Sequence, residues 1–190
     1  MARYGTEHKE ATRQRILDTA GRRFKQDGID GSGIATLMGD AGLTNGAFYA
    51  HFQSKDNLVA NVVTEELRVQ CERISALPPG PAALEEFVRD YLSPHHRDLR
   101  ADGCPSAALL DEIGRCDDAS RQSYTAGAQS IVEVIATHLA PRSPRSARGK
   151  ALGLFTLLVG TLQLSRAVSD PKFSDEVLKQ GIHNARSLIR

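Results

Sequence analysis

Cysteine is scarce in this chain of 190 residues: Cys71, Cys104 and Cys116 are too few and too scattered for a disulfide framework. Reduced thiols in a cytoplasm are therefore expected. The N-terminus has polar residues where a secretory signal needs an apolar run, so export is not expected. Long apolar runs are missing too. Ala151 to Leu164 is the most apolar stretch, but it is too short for a bilayer and carries Thr156, Thr161 and Gln163, which argues for a buried helix and against a membrane partner. After Pro81 no alternating apolar pattern is long enough to insist on a strand. There is no CxxC or HxxxH spacing, and the adjacent His95 and His96 point in different directions, so these two with Cys104 and Cys116 make a poor metal site, and no cofactor is implied. A cysteine hydrolase built on Cys104 with His95 or His96 lacks an oxyanion arrangement and an activating third residue. Finally, there is almost no net charge. At +1 overall, electrostatics alone would not suggest nucleic acid.

What is present is concentrated between Ile34 and Phe52, IATLMGDAGLTNGAFYAHF. Ile34, Leu37, Met38 and Ala41 recur at helical spacing and stop at Gly42, which tolerates a left-handed turn. Thr44 is placed to accept a hydrogen bond from the free amides of a second helix, whose inward side continues through Ala47, Phe48, His51 and Phe52. Helix, glycine turn, helix is a layout that lets one helix brace while the next lies in a major groove. The preceding segment supplies a third wall, with Ile16, Leu17, Ala20 and Phe24 on one side and Gly28 as the stop. It also carries charge: from Met1 to Gln26, seven basic residues face three acidic ones, an excess of four that would attract phosphates. Met1 to about Glu7 reads as a polar arm, with Arg3 as a possible minor-groove contact.

These residues resemble the TetR family of transcriptional repressors. The resemblance rests on Ala41-Gly42-Leu43-Thr44, Gly46, the run Phe48 to Phe52, Ser54-Lys55-Asp56 with Leu58, and Ile16, Leu17, Ala20, Phe24 and Gly28 before them, covering roughly the first third of the chain. It implies an all-α fold: a three-helix DNA-binding head with a helix-turn-helix over residues 1–54, then a larger helical effector-binding and dimerisation domain over 55–190. It further implies a homodimer on palindromic double-stranded operator DNA, released by a small-molecule effector. The expected DNA contacts are Thr44, Asn45, Gly46, Ala47, Phe48, Tyr49, His51 and Lys55. Asn45 and Ala47 are short enough to approach base edges, Asn pairing with adenine and Ala meeting a thymine methyl, while Tyr49, His51 and Lys55 hold the backbone. Three positions depart from the family pattern: Asn45 stands where lysine is frequent, Ala47 where a hydroxyl residue is frequent, and Gly33 where a hydroxyl cap is frequent. Ser32 is then the candidate cap for the bracing helix.

The body reads as helices throughout. A long helix from Lys55 runs to the Pro78-Pro79-Gly80-Pro81 break, and Ala82 to Leu92 follows. Pro94 ends that segment, a polar stretch from His95 to Arg100 comes next, and Ala107 to Ile113 forms a short apolar helix. The next long helix begins at Asp117 or Ser120. Two final helices span about Ser146 to Val168 and Ser174 to Ile189. The first is apolar around most of its circumference, with a small stripe of Gly153, Gly160 and Ala167. Periodicity leaves open whether it is buried within the chain or pairs with a second copy, and the resemblance favours pairing through the last two helices. Phe87, Tyr91, Tyr124 and Phe155, with Cys104, are expected to line an effector cavity. Cys104 admits a second reading: in a Gly-Cys-Pro step entering a helix, near Arg97 and Arg100, amides and helix dipole favour the nucleophilic thiolate of an oxidant or electrophile sensor. It also admits a third, as a small buried apolar residue.

Overall fold

The computed structural model describes residues 2–190, with side chains from Glu7 onward, and among these residues every regular element is helical. The head begins with α1 (Ala2–Asp27), which takes in the segment expected to be an arm. The side chain of Arg3 lies outside the described residues. Ile16, Leu17, Ala20 and Phe24 of α1 are buried against Leu37 and Met38 of α2 (Ile34–Asp40). Gly28, at φ +84°, ends the first helix and its amide returns to the Phe24 carbonyl at 2.9 Å.

The turn after α2 closes as the glycine predicted. Gly42 sits at φ +68°, its amide donates to the Gly39 carbonyl at 3.0 Å, and the Leu43 amide donates to the Met38 carbonyl at 2.8 Å. This pair of bonds is the Schellman motif, which satisfies the last carbonyls of α2 and turns the chain sharply. Neither expected side-chain cap forms, however. Ser32 donates its hydroxyl to the Gly28 carbonyl at 2.9 Å, leaving Gly33 at the α2 N-cap position without a side-chain bond, and Thr44 makes no side-chain cap either. Spacing identifies a hydroxyl near a helix start; only the local rotamer decides which amide or carbonyl it meets.

The second helix of the motif is a 3₁₀ helix over Asn45–Ala50 rather than an α-helix. Its bonds run from Ala47 to Thr44 at 3.0 Å and from His51 to Phe48 at 2.9 Å. A six-residue run has few α-type bonds to gain, and the tighter winding is common in such short pieces. Here it carries Phe48 wholly into the core, at 0% exposure, beside Phe52 at 2%.

Helix α3 (Lys55–Ser75) leaves the head with Ser54 as its N-cap, the hydroxyl accepting from the Asn57 amide at 3.0 Å. Leu58 and Val59 join the head core, while Leu67 packs on α7 (Asp118–Leu139). That packing is close: a Cβ on Gly127 would lie 2.6 Å from the Leu67 side chain, so α3 and α7 meet where α7 has no side chain. The proline break gives way to α4 (Pro81–Tyr91), with Gly80 at φ +114° before Pro81. Pro94, expected only to end that helix, also starts a one-turn helix, α5 (Pro94–Asp98), capped by the Ser93 hydroxyl, and a 3₁₀ turn follows over Arg100–Asp102. The polar stretch is thus largely wound. A proline at the first helical position costs no hydrogen bond, which is why it can begin a helix as readily as stop one.

Then come α6 (Pro105–Ile113) and α7, whose N-cap Asp117 accepts from the Ser120 amide at 2.9 Å, so both residues proposed as its start take part. The last pair, α8 (Pro144–Ala167) and α9 (Pro171–Ile189), run antiparallel, Gly153 near Leu188 and the Ser174 hydroxyl donating to the Ser165 carbonyl at 2.6 Å. One side of α8 is core, including Ala151, Leu154, Leu158 and Leu162. The other exposes Leu152 at 53%, Leu164 at 49% and the small residue Gly160, and Phe173 at the start of α9 is 48% exposed. No helix among the described residues is long and apolar enough to cross a membrane.

Candidate nucleic-acid interface and body cavity

Burying Phe48 turns its neighbours outward. Thr44, Asn45, Gly46 and Ala50 are exposed and Tyr49 is 68% exposed, while Ala47, His51 and Lys55 are half-buried. Seven of the eight expected contact residues therefore present at least part of their surface, and Thr44 to Tyr49 form a ridge over Phe48. Phe48 does not: it is the anchor beneath the ridge, and its ring meets Tyr49 edge-on at 5.2 Å between centroids. The sequence left Phe48 between packing and contact because an aromatic residue at that spacing serves either purpose.

Behind the ridge, α1 contributes cations that motif reading did not single out as site residues. Lys9 and Arg13, one turn apart, act on His51. Burial first, then these two charges, hold the His51 imidazole below the ordinary histidine range, and its Nδ1 is buried without a hydrogen-bond partner. Arg13 is fixed in place, donating to Asn61 Oδ1 at 2.6 Å and stacking 5.1 Å over the Phe52 ring. Their signal in the sequence was the i, i+4 spacing of basic residues on the leading helix. A half-buried imidazole and two cations beside an exposed tyrosine form a surface that favours phosphate.

The body holds a cavity of about 400 Å³ between α1, α3, α4 and the start of α6. Leu17, Val62, Val69 and Phe87 give it apolar walls, and Gln70, Tyr91 and Cys104 supply polar groups. Tyr91 is 6% exposed and its hydroxyl has no hydrogen-bond partner. Burial, with Cys104 as a neighbour, pushes this phenol well above the ordinary tyrosine range, so it remains a protonated donor. The Cys104 thiol, 5% exposed, donates to Gln70 Oε1 at 3.4 Å. His96 uses both ring nitrogens on backbone: Nδ1 lies 2.7 Å from the Tyr91 carbonyl and Nε2 accepts from the Cys104 amide at 3.0 Å. Its burial lowers its proton affinity, so it serves as a neutral clamp between the end of α4 and the start of α6. With both nitrogens engaged, it is not free to activate the thiol or to bind a metal.

Of the five residues expected around the cavity, Phe87, Tyr91 and Cys104 line it. Tyr124 and Phe155 do not: Tyr124 donates to Ser106 Oγ at 3.1 Å, and Phe155 packs in the core at 8% exposure. Helical spacing marks which side of α7 or α8 is inward, but not whether inward means cavity or packed interior. The cavity also takes in Arg22 and Lys25 of α1, so it lies on the seam between head and body. From its Cys104 wall, α6 runs to Glu112, whose Oε2 accepts from the Ile29 amide of the head at 2.7 Å.

Known proteins agree with this arrangement. The family model for bacterial regulatory proteins of the tetR family matches residues 16–62. The chain is 39% identical over 62 residues to the HTH-type transcriptional regulator AcrR of Shigella flexneri, covering 33% of this chain and 29% of that protein. It is 32% identical over 93 residues to the HTH-type transcriptional repressor Rv1474c of Mycobacterium tuberculosis, covering 49% and 47%. It thus spans less than half the length of either relative. The crystal structure of the reduced form of E. coli NemR shares the fold with a TM-score of 0.78 at 18% identity, over 93% of this chain and 96% of that one. The glycine turn and the buried Phe48 both lie within the matched segment, so residues 16–62 carry the head of bacterial regulatory proteins of the tetR family, on a fold shared with NemR over nearly the whole chain.

Proposed function

We propose that the protein is a transcriptional repressor that binds a palindromic operator as a homodimer and is released by a small molecule. Residues 1–54 form the reading domain and 55–190 the effector-binding and dimerisation domain. The observation that carries this reading is the ridge from Thr44 to Tyr49, exposed because Phe48 is locked beneath it. Asn45 and Ala47 read bases there; Tyr49, His51 and Lys55, backed by Lys9 and Arg13, hold phosphates. Two chains pair through α8 and α9, where Leu152, Leu164 and Phe173 stand open to solvent.

The effector enters the seam cavity, with Tyr91, Gln70 and Cys104 as its polar contacts and Phe87 among the apolar ones. Its entry strains the link from Cys104 along α6 to the Ile29 amide, and the heads leave the separation of about 34 to 36 Å that one turn of DNA requires. Small-molecule release is favoured over thiol sensing because Cys104 is buried and its sulfur is held by Gln70, so a reagent meets it only through the cavity.

The test separates reading from gripping. Tyr49→Ala should weaken operator and random duplex alike, about fivefold for one lost phosphate hydrogen bond. Asn45→Ala should instead lose about 1–3 kcal/mol of discrimination between operator and its point variants, measured by fluorescence anisotropy at fixed salt. Equal losses on both duplexes for Asn45→Ala would reject its assignment to base reading.

His51 adds a pH dependence. Its proton affinity is depressed in the free protein, and a bound phosphate would raise it, so the complex holds more protons than its parts. Affinity should therefore strengthen as pH falls through the His51 value in the complex and level off below that of the free protein. His51→Gln should flatten this profile; an unchanged profile would exclude a phosphate at His51.

A further inference from the structure

A second, smaller cavity of about 120 Å³ shares Lys25 with the seam cavity and is otherwise lined by Arg100, Ala107, Ala108, Gln163, Arg166 and Ala167. Three cations line it and no carboxylate does. Lys25 of α1 has a partner, donating to Glu66 Oε2 at 2.6 Å. Arg100 has none among the carboxylates of the described residues; its one bond goes to the Arg166 carbonyl at 3.5 Å. Arg166 spends Nε on the Arg97 carbonyl at 3.0 Å and Nη2 on the His96 carbonyl at 2.7 Å, and its Nη1 is buried with no partner. Burial and the charge of Arg100 both weaken its hold on the proton. A half-buried guanidinium with an unused donor, next to a second unpaired guanidinium, is an arrangement that a folded chain keeps at a cost.

From this we infer that Lys25, Arg100, Arg166 and Gln163 form a binding site for one phosphate-sized oxyanion, either inorganic phosphate or the phosphate group of a small ester. The space is about that of four waters, and guanidinium forks with an ammonium and an amide are the donors that oxyanions prefer. The ion neutralises the like charges and gives the Arg100 guanidinium, which has no carboxylate partner, an acceptor. It also joins three elements: the leading helix of the head through Lys25, the 3₁₀ turn through Arg100, and α8 through Arg166. An occupied site therefore stiffens the head against the helix that carries the exposed apolar face.

The thermal midpoint of the full chain, measured in potassium chloride and in potassium phosphate of matched ionic strength, tests this. Phosphate at saturation should raise the wild-type midpoint by about 3 °C or more, with one ion per chain by titration calorimetry. Glycerol 3-phosphate in a parallel arm distinguishes the sources: a tighter response to the ester points to an esterified ligand, an equal one to free phosphate, and either supports the site. Arg100→Gln should lose most of the response and, in chloride alone, be at least as stable as wild type, because it removes a like charge beside Arg166. Gln163→Glu supplies a carboxylate within the cavity and should raise the midpoint in chloride while abolishing the phosphate response. No response in the wild type, or the same response in both variants, would overturn the proposal.

Discussion

Phe48→Ala is expected to lower the stability of the head by about 3–5 kcal/mol and to abolish operator retention, although the ring lies wholly beneath the surface. The ring is fully buried, contacts Phe52 at 5.7 Å between centroids and Tyr49 at 5.2 Å, and is the one wholly buried residue of the 3₁₀ helix. Removing it leaves a cavity under a six-residue element whose own hydrogen bonds are too few to hold it in place. Tyr49 and Asn45 would then lose the geometry that presents them together. Chemical denaturation of the variant, followed alongside anisotropy on the operator, checks this. A stability loss below about 1 kcal/mol would show that the ridge is held by something other than this anchor.

The paired change Leu152→Asp and Leu164→Asp should convert the proposed dimer to monomer and weaken operator binding by about a hundredfold or more. Both leucines are about half exposed on the outer side of α8, so the isolated chain loses little by the exchange. In an isologous interface each residue appears twice, and four buried carboxylates without partners could not be tolerated. Binding would fall through loss of avidity: with two linked heads, the second meets its half-site at a high effective concentration, worth 10² to 10⁴ in affinity. Sedimentation velocity gives the association state, and circular dichroism should show the helical content retained. A variant that remained dimeric would place the interface elsewhere.

Much of the head could be read directly because its determinants are local. Gly42 ends α2 in a left-handed turn whichever way the rest of the chain lies, and the spacing of Ile16, Leu17, Ala20 and Phe24 names the inner side of α1 without reference to what it meets. The misread features each depend on something distant or on a rotamer. Thr44 and Ser32 carry the right chemistry for caps, but Ser32 bonds backward to Gly28. Asn45–Ala50 is too short to gain many α-type bonds and winds as 3₁₀ against α2, with Phe48 in the core. Tyr124 and Phe155 point inward as their periodicity requires, but half-buried Tyr124 bonds to Ser106 and Phe155 packs in the core. The charge of Lys9 and Arg13 is legible along α1, but that both act on His51 follows only from the packing of α1.

The sequence by itself determined that this protein is helical, that a glycine turn sits between two short elements near its N-terminus, and which side chains are apolar enough to be hidden. These depend on backbone sterics and on the period of hydrophobic residues, both properties of neighbours along the chain. The tertiary structure alone decided which hidden side chains pack and which surround a cavity, and that Glu112 reaches the Ile29 amide across 83 positions. It also decided that Lys25, Arg100 and Arg166 converge on one small space. Such juxtapositions follow from how the helices cross, and crossing is fixed by the whole set of interlocking surfaces rather than by any one stretch of residues.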